Sequence, residues 1–214
     1  MTQTLGFIDA ANGIVTRELQ FTRNKCLTEG KFDAAKMDDH QQAIYSLAVS
    51  ASELHAARVM LEYANSQTDF EKRLAKGFAA DIIHSVYSRL FPIIVEQGWP
   101  EGLASFVRAT LTTENLTNLG KEITSRNGDV GNRAFDEEKT LVAATFAQFA
   151  DDVVAPLAEN IHRYNLAIPD SILNGIRELG CFGLSVPQRY NGLLPDDQED
   201  SLGMIVVTEE LSRA

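Results

Sequence analysis

The sequence predicts an all-α protein without a substantial sheet, and two observations lead to this fold class. Apolar residues recur at three- and four-residue steps over long stretches, as they do along one face of a helix, whereas strict alternation of apolar and polar residues is rare. Alanine, the strongest helix former, is frequent within the longest of these stretches. We therefore expect a packed set of helices joined by short turns.

Two long helices are predicted in the front half of the chain. The first spans residues 39–63, and its inward positions are Ile44, Leu47, Ala51, Leu54 and Leu61. The second runs from Asp69, a candidate N-cap, to Gln97, where Gly98 follows as a stop signal. Its predicted apolar face consists of Leu74, Phe78, Ile82, Val86, Leu90 and Ile94. Pro92 is expected to kink this helix or end it early, and the short turn at 65–68 favours antiparallel packing of the pair.

The remaining sequence divides at a cluster of turn formers. Shorter helices are predicted at 102–111 and 113–126, and residues 127–132 (NGDVGN) then interrupt the helical pattern. We therefore predict two domains: a helical extension at 1–128, made of the long antiparallel pair plus shorter helices, and a second helical domain at 129–214.

The second domain begins with a long helix capped by Asp136. The apolar stripe of this helix consists of Val142, Phe146, Phe149, Val153, Leu157 and Ile161. Pro156 lies within the stripe and should bend the helix locally. Another helix begins at Pro169 and is closed by Gly180. A last helix begins near Ser201 and is still in progress at Ala214, so we expect the chain to be a truncated part of a longer polypeptide.

Charge and cysteine content exclude several classes of function. Lys and Arg total 19 against 30 Asp and Glu, which gives a formal charge of −11. Such an acidic surface repels phosphate backbones and anionic lipids, so we expect no nucleic-acid partner and no membrane partner. The two cysteines, Cys26 and Cys181, cannot form a disulfide framework, and the N-terminus lacks a secretory signal. A cytoplasmic location is predicted.

Residue types that carry chemistry do not form a recognisable site. Glu159 and His162 have the Glu-x-x-His spacing of di-iron bundles, but no second copy of this motif exists in the sequence. The other histidines, His40, His55 and His84, lack cysteine or carboxylate neighbours at zinc-ligand spacing, so capping or packing roles are preferred. Cys181 follows a helix-ending glycine and is interpreted as a small buried residue rather than a nucleophile.

The last 80 residues contain several sequence blocks in a specific order. They are 149–158 (FADDVVAPLA), 168–169 (IP), 179–187 (LGCFGLSVP), Tyr190 followed by Gly192, and 209–214 (EELSRA). In order and spacing, residues 135–214 resemble the N-terminal helical domain of the acyl-CoA dehydrogenase family. One departure is Asn191, which stands where the family usually has the first of two glycines. Asn tolerates a left-handed backbone better than most residues, so we expect the turn to survive.

A second, fainter likeness lies upstream. Residues 39–42 (DHQQ), 56–58 (AAR) and 76–81 (KGFAAD) look like the C-terminal four-helix bundle of the same family, in the same order. If this likeness reflects ancestry, the extension is a degenerate bundle placed ahead of the dehydrogenase-like domain. Convergence of Ala-rich helices on a similar pattern is the open alternative.

The resemblance implies an FAD-dependent enzyme that oxidises an acyl-CoA thioester between its α and β carbons. In the family a carboxylate base removes the α-proton while the β-hydrogen leaves as hydride to the flavin. An electron-transferring flavoprotein often takes the electrons, and homo-oligomers are expected. The family's flavin contacts and base come mainly from later domains, so no residue of this chain is carried over as catalytic, cofactor-binding or metal-binding.

Two functions therefore remain open at this point. The preferred one is the N-terminal portion of an acyl-CoA dehydrogenase-like flavoenzyme, forming a wall of the substrate cavity and oligomer contacts but inactive by itself, without FAD of its own. The alternative is a non-catalytic helical binding or regulatory module derived from the family.

Overall fold

The computed structural model describes residues 1–95, 98–197 and 200–214, which form two compact units, Met1–Asn132 and Arg133–Ala214. The elements of the front unit are α1 (Thr2–Lys25), β1 (Leu27–Thr28), β2 (Lys31–Phe32), α2 (Ala34–Asp39), α3 (Gln41–Asn65), α4 (Asp69–Ile94), α5 (Glu101–Thr110) and α6 (Thr113–Ser125). Strands β1 and β2 pair as a two-residue antiparallel hairpin. Since the hairpin is the one sheet of the described chain, the predicted all-α class is confirmed.

The core of the front unit lies between three long helices and α5. Helices α3 and α4 pack against each other and against α1, and the buried side chains include Leu47 and Leu61 of α3 and Ile83 and Leu90 of α4. The sequence prediction missed α1. Its buried face includes polar residues at both ends, Thr4 at the start and Glu18 and Thr22 at the end, so the apolar stripe that identifies a core helix is short.

Helices α3 and α4 have nearly the predicted limits, and most of their predicted inner positions are buried: Leu47, Leu54 and Leu61 of α3, and Ile82, Val86, Leu90 and Ile94 of α4. Thr68, rather than Asp69, caps α4, because its hydroxyl accepts the Phe70 N–H. The helix continues past Pro92 and ends at Ile94, before the end that the sequence predicts at Gln97. Residues 96 and 97 lie outside the described part of the chain. Phe78 is 38% exposed rather than inward. Ala75, Ala79 and Ile83 are buried in addition to the predicted positions, and the two alanines permit close helix packing.

The end of the front unit is bound to α3 and α4. The Tyr63 hydroxyl donates to the Asn132 carbonyl, and the Glu71 carboxylate accepts the Thr68 hydroxyl. The Thr68 hydroxyl, followed by backbone N–H groups, holds the pKa of Glu71 below its usual range. Gly131 has φ +109°, and a Cβ there would overlap the Glu71 carboxylate, so only glycine fits this close approach. The chain divides after Asn132 rather than at the predicted 128.

The back unit consists of α7 (Glu137–Phe149), a π-helical turn (Ala150–Val154), α8 (Ala155–Tyr164), α9 (Asp170–Glu178), single 3-10 turns at Cys181–Gly183 and Gln188–Tyr190, and α10 (Ser201–Arg213). Its small core lies mainly between α7 and α10. The buried apolar side chains are Ala143, Phe146, Ala150, Ile172, Val206 and Val207.

The bend predicted at Pro156 takes the form of the π-helical turn. Proline lacks the N–H that would continue the α-helical hydrogen bonds, and the wider turn at Ala150–Val154 stands immediately before the turn that contains it. Helix α8 then continues to Tyr164, so the helical stretch is not broken at Pro156.

Candidate functional site

Helix α7 begins with the cap that the sequence predicts. The Asp136 carboxylate accepts the Lys139 N–H at 2.7 Å, and Glu137 and Glu138 occupy the first turn. Acidic side chains at this position interact favourably with the positive end of the helix dipole. The start of the candidate domain is therefore fixed by local sequence.

Lys139 joins the starts of α7 and α10. Its Nζ lies 2.8 Å from Asp200 Oδ2, and its side chain is 12% exposed. The other Asp200 oxygen accepts the Gly203 N–H at 2.9 Å and so caps α10. The Lys139 ammonium first, and the Gly203 N–H second, hold the pKa of Asp200 below its usual range. The same hydrogen bond from Lys139 to Asp200 raises the pKa of Lys139.

The last turn of α10 is held by a cluster of ion pairs. Arg133 Nη1 donates to Glu210 at 2.6 Å, and Arg213 contacts both Glu210, at 3.2 Å, and Asp151, at 3.0 Å. Burial alone would raise the pKa of Glu210, which is 4% exposed, but hydrogen bonds from the two guanidinium groups outweigh it and lower that pKa. A buried carboxylate needs such partners, so Glu210 depends on both arginines.

The segment between α9 and α10 contains the two special backbone positions that the sequence points to. Gly180 has φ +76° and follows α9 as predicted. Asn191 has φ +63°, in the left-handed region, which confirms that the turn survives the replacement of glycine. The next residue, Gly192, lies so close to Val186 that a Cβ would overlap the Val186 carbonyl. The turn thus requires glycine at 192 but not at 191.

A groove of about 510 Å³ lies between α9 and the end of α7 with its π-helical turn. Its lining residues are Thr145, Gln148, Phe149, Asp152, Val153, Ser171, Asn174, Gly175, Glu178 and Leu179. The Phe149 ring covers Gly175 so closely that a Cβ on Gly175 would overlap it. The ionisable groups of the groove are Asp152 and Glu178, so any ligand seated there would meet negative charge.

The back unit has a counterpart among known proteins. Residues 136–214 match the family model for the acyl-CoA dehydrogenase N-terminal domain. The chain is related to the acyl-CoA dehydrogenases. It is also 26% identical, over 210 residues, to a (2S)-methylsuccinyl-CoA dehydrogenase from Cereibacter sphaeroides. That match covers 89% of this chain and 38% of the relative, so the chain spans little more than a third of the relative's length.

The match to the methylsuccinyl-CoA dehydrogenase extends into the front unit. The family model accounts for residues 136–214 only, a little over a third of the chain. Since 89% of the chain matches the methylsuccinyl-CoA dehydrogenase, most of the front unit has a counterpart in that protein. The helical extension is therefore shared with at least one acyl-CoA dehydrogenase relative.

The flavin that the acyl-CoA dehydrogenase relationship implies does not fit the back-unit groove. The pyrophosphate of FAD carries negative charge and needs N–H donors or cations. The groove instead presents Asp152 and Glu178, and its lining residues include no lysine or arginine. We therefore derive no chemical step from this groove.

The residues that the sequence singled out for chemistry form no metal-binding group among the described residues. Glu159 is paired with Arg163 rather than with His162, and both Glu159 and His162 are exposed. His55 and His84 are exposed, and His40 is half-buried at the start of α3. Within residues 1–95, 98–197 and 200–214, no group of three His, Cys, Asp or Glu side chains is placed to hold a metal ion.

Both cysteines are free thiols in packed surroundings. Cys26 is 1% exposed, and its Sγ donates weakly to the Lys36 carbonyl at 3.8 Å. Cys181 is half-buried, and burial raises the pKa of its thiol. A raised pKa lowers the thiolate fraction, which agrees with the packing role assigned from sequence.

The continuous stretch Glu137–Tyr164 is long and apolar enough, by length and composition, to cross a membrane, and 17% of its most apolar window is buried. A core helix passes the same test. The stretch lies almost wholly within the part that matches the acyl-CoA dehydrogenase N-terminal domain. It also carries Asp151 and Asp152 at its centre, which would be costly in hydrocarbon.

Two polar features were not predicted from the sequence. The ion pair between Lys139 and Asp200 joins residues far apart in sequence, and no local motif signals it. Thr110 lines a cavity in the front unit. A threonine at the end of a helix is common, so the sequence gives no signal of this cavity at that position. A cluster of basic residues at 72, 73 and 76, unusual in so acidic a chain, is the signal that could have pointed to that cavity.

Proposed function

We propose that this chain is the front portion of an FAD-dependent acyl-CoA dehydrogenase-like enzyme that oxidises an acyl-CoA thioester between its α and β carbons. The observation that carries the proposal is the match of residues 136–214 to the family's N-terminal domain. Three features described above lie within that match: the left-handed backbone of Asn191, the close approach of Gly192 to Val186, and the ion pairs at the end of α10. The match to most of the front unit supports the same conclusion.

The role proposed for the back unit is to form one wall of the substrate cavity and to make contacts between subunits. The back unit has few buried apolar side chains, whereas many of its large apolar side chains are exposed. The exposed set is Leu141, Tyr164, Leu166, Ile168, Leu173, Phe182, Tyr190, Leu193, Leu202 and Ile205. Exposed apolar surface of this extent marks contact sites, which is the surface expected of one layer of a larger enzyme.

The substrate and partners are inferred from the relationship and are part of the proposal. The name of the C. sphaeroides relative makes the CoA thioester of methylsuccinate the first substrate to test. We further propose an electron-transferring flavoprotein as the electron acceptor, assembly as a homo-oligomer and a cytoplasmic location.

The test is to express the natural reading frame through its continuation beyond Ala214 and to record the absorption spectrum of the purified protein. A flavin spectrum, bleached anaerobically by methylsuccinyl-CoA or another acyl-CoA of a test panel, is expected. Residues 1–214 purified alone serve as the matched control and should bind no FAD. A colourless, folded full-length protein, or a reading frame that stops after Ala214, would favour the non-catalytic module instead.

A further inference from the structure

Helix α6 lies on the front unit without entering its core. None of its residues is buried. Among the described residues, the buried core cluster of this unit consists of side chains from α1, α3, α4 and α5. A helix of 13 residues is only marginally stable in water by itself, and segments with few buried apolar contacts open at a lower free energy than the core does. The stability of α6 therefore depends on its attachments to α4 and α5.

The start of α6 is attached to the end of α5 by hydrogen bonds. Thr112 caps the helix, because its hydroxyl accepts the Asn115 N–H at 3.2 Å. The Asn115 side-chain amide donates in turn to the carbonyls of Ala109 and Thr110, at 3.1 and 3.2 Å. These bonds fix the first turn of α6 around the short connection that precedes it. The start of the helix is thus the place for a hinge.

The end of α6 is attached to α4 by an ion pair. Arg73 Nη2 of α4 donates to both oxygens of the Glu122 carboxylate, at 2.7 and 2.6 Å. Glu122 also lies 3.8 Å from Arg126, four residues further along the chain. If α6 leaves α4, Glu122 keeps Arg126 as a neighbour on its own helix face and loses only Arg73. The Arg73 side chain is 53% exposed, and ion pairs that face water contribute little free energy.

The end of α6 covers an aromatic side chain that lies outside the core. Phe70 of α4 is 2% exposed, yet among the described residues it does not belong to the core cluster. The Arg126 guanidinium, at the C-cap of α6, lies over the Phe70 ring with Cζ 3.9 Å from the ring centroid. Movement of the end of α6 away from α4 would remove this cover. The position of α6 therefore decides whether the Phe70 ring meets water.

The chain beyond α6 can follow such a movement. Asn127 and Gly128 have φ +56° and +84°, and nothing lies within 4 Å of the place that a Cβ on Gly128 would take. Glycine adopts a wide range of backbone angles. The chain is held again at Gly131, which approaches the Glu71 carboxylate closely. A change in the direction of α6 is therefore absorbed before Gly131.

We propose that α6 is a flap that opens as a unit about its start while the core of the front unit stays folded. The Arg73–Glu122 ion pair is the catch that closes it. Opening uncovers Phe70, so the flap switches this face of α4 between a covered and an uncovered aromatic side chain. Because the catch is an ion pair, closure weakens as ionic strength rises. The device belongs to the front unit and does not depend on the enzyme activity proposed above.

The test of the catch is amide hydrogen exchange of the 214-residue chain. The amides of residues 117–125 should exchange with one common protection factor and faster than those of Leu47 and Ile83, which are fully buried core positions. Arg73→Gln should accelerate the α6 amides about threefold to fivefold and leave the two core amides unchanged. Lys121→Gln, an exposed position on the same helix, is the matched control and should change neither set. Salt at about 1 M should accelerate the α6 amides in the unsubstituted chain but not in Arg73→Gln.

A second pair of variants tests the cover over Phe70. Phe70→Leu keeps an apolar side chain but removes the ring that Arg126 contacts, so it should accelerate the α6 amides. Phe91→Leu, at an exposed phenylalanine of the same helix α4, should not. Circular dichroism and the exchange of Leu47 and Ile83 show in each variant that the core is still folded.

Several results would overturn the proposal. If the α6 amides exchange only as fast as those of Leu47 and Ile83, α6 opens with the core and is not a flap. If they exchange without protection, there is no closed state. Equal effects of Arg73→Gln and Lys121→Gln would remove the catch, and equal effects of Phe70→Leu and Phe91→Leu would remove the cover. Protection that falls gradually along α6 would indicate fraying rather than opening as a unit.

Discussion

Replacement of Gly192 by alanine should open the turn between α9 and α10. The new Cβ would overlap the carbonyl of Val186, and a backbone group cannot rotate away as a side chain can. The Leu194 N–H donates to that same carbonyl at 3.1 Å, and the Gln188 N–H donates to Leu194 O at 2.8 Å. Relief of the overlap separates these segments and removes both hydrogen bonds.

The size of the effect is set by those two bonds. Each contributes about 1 kcal/mol net, so Gly192→Ala should destabilise the turn by about 2 kcal/mol, or roughly thirty-fold in the opening equilibrium. Amide hydrogen exchange at Leu194 and Gln188 measures that equilibrium directly. The control is Gly13→Ala in α1, where nothing lies near the added Cβ and helix propensity should stabilise the front unit by up to about 1 kcal/mol. Unchanged exchange at Leu194 in Gly192→Ala would refute the argument.

Three further predictions concern single side chains. Lys139 lowers the pKa of Asp200, so the ionised Asp200 stabilises the fold above its unfolded pKa of about 3.9, and this stabilisation is lost as pH falls through the folded pKa. Asp200→Asn should therefore flatten the acid side of a plot of melting temperature against pH. An unchanged acid side would contradict the pairing with Lys139. Thr110→Val removes an unpartnered buried hydroxyl and should stabilise the front unit by about 1 kcal/mol in urea unfolding, whereas destabilisation would indicate a hidden partner. Phe146 is 4% exposed, so Phe146→Ala should cost about 3–5 kcal/mol and abolish the dispersed NMR signals of the back unit, while the exposed control Leu141→Ala should retain them.

Helix limits and caps were largely predictable because they are local properties. Asp136 followed by two glutamates identifies the start of α7, and Gly180 identifies the end of α9. The turn at Asn191 was expected to survive because the family that this segment resembles usually has glycine there and Asn tolerates the left-handed conformation. Each of these features depends on residues within a few positions of one another, so a single sequence contains the necessary information.

Features that depend on packing were not predictable. Helix α1 buries Thr4, Glu18 and Thr22, which break the apolar stripe that sequence reasoning looks for. The cavity at Thr110 depends on how closely α6 approaches α4, and no sequence pattern encodes that distance. That α4 buries Ala75 and Ala79 but leaves Phe78 partly exposed also depends on packing, because alanines permit closer helix approach than larger side chains.

The π-helical turn at Ala150–Val154 has a consequence for changes in chain length. Such a turn accommodates one residue more than an α-helical turn does, so it absorbs an extra residue without rotating the rest of the helix. Loss of a single residue within this turn would remove the extra residue and leave Leu157 and Ile161 on their present side. The same deletion inside α7 would instead rotate every later side chain by about 100°. A single-residue deletion in this long helix therefore keeps the later side chains in place at the π-helical turn and rotates them when it falls in α7.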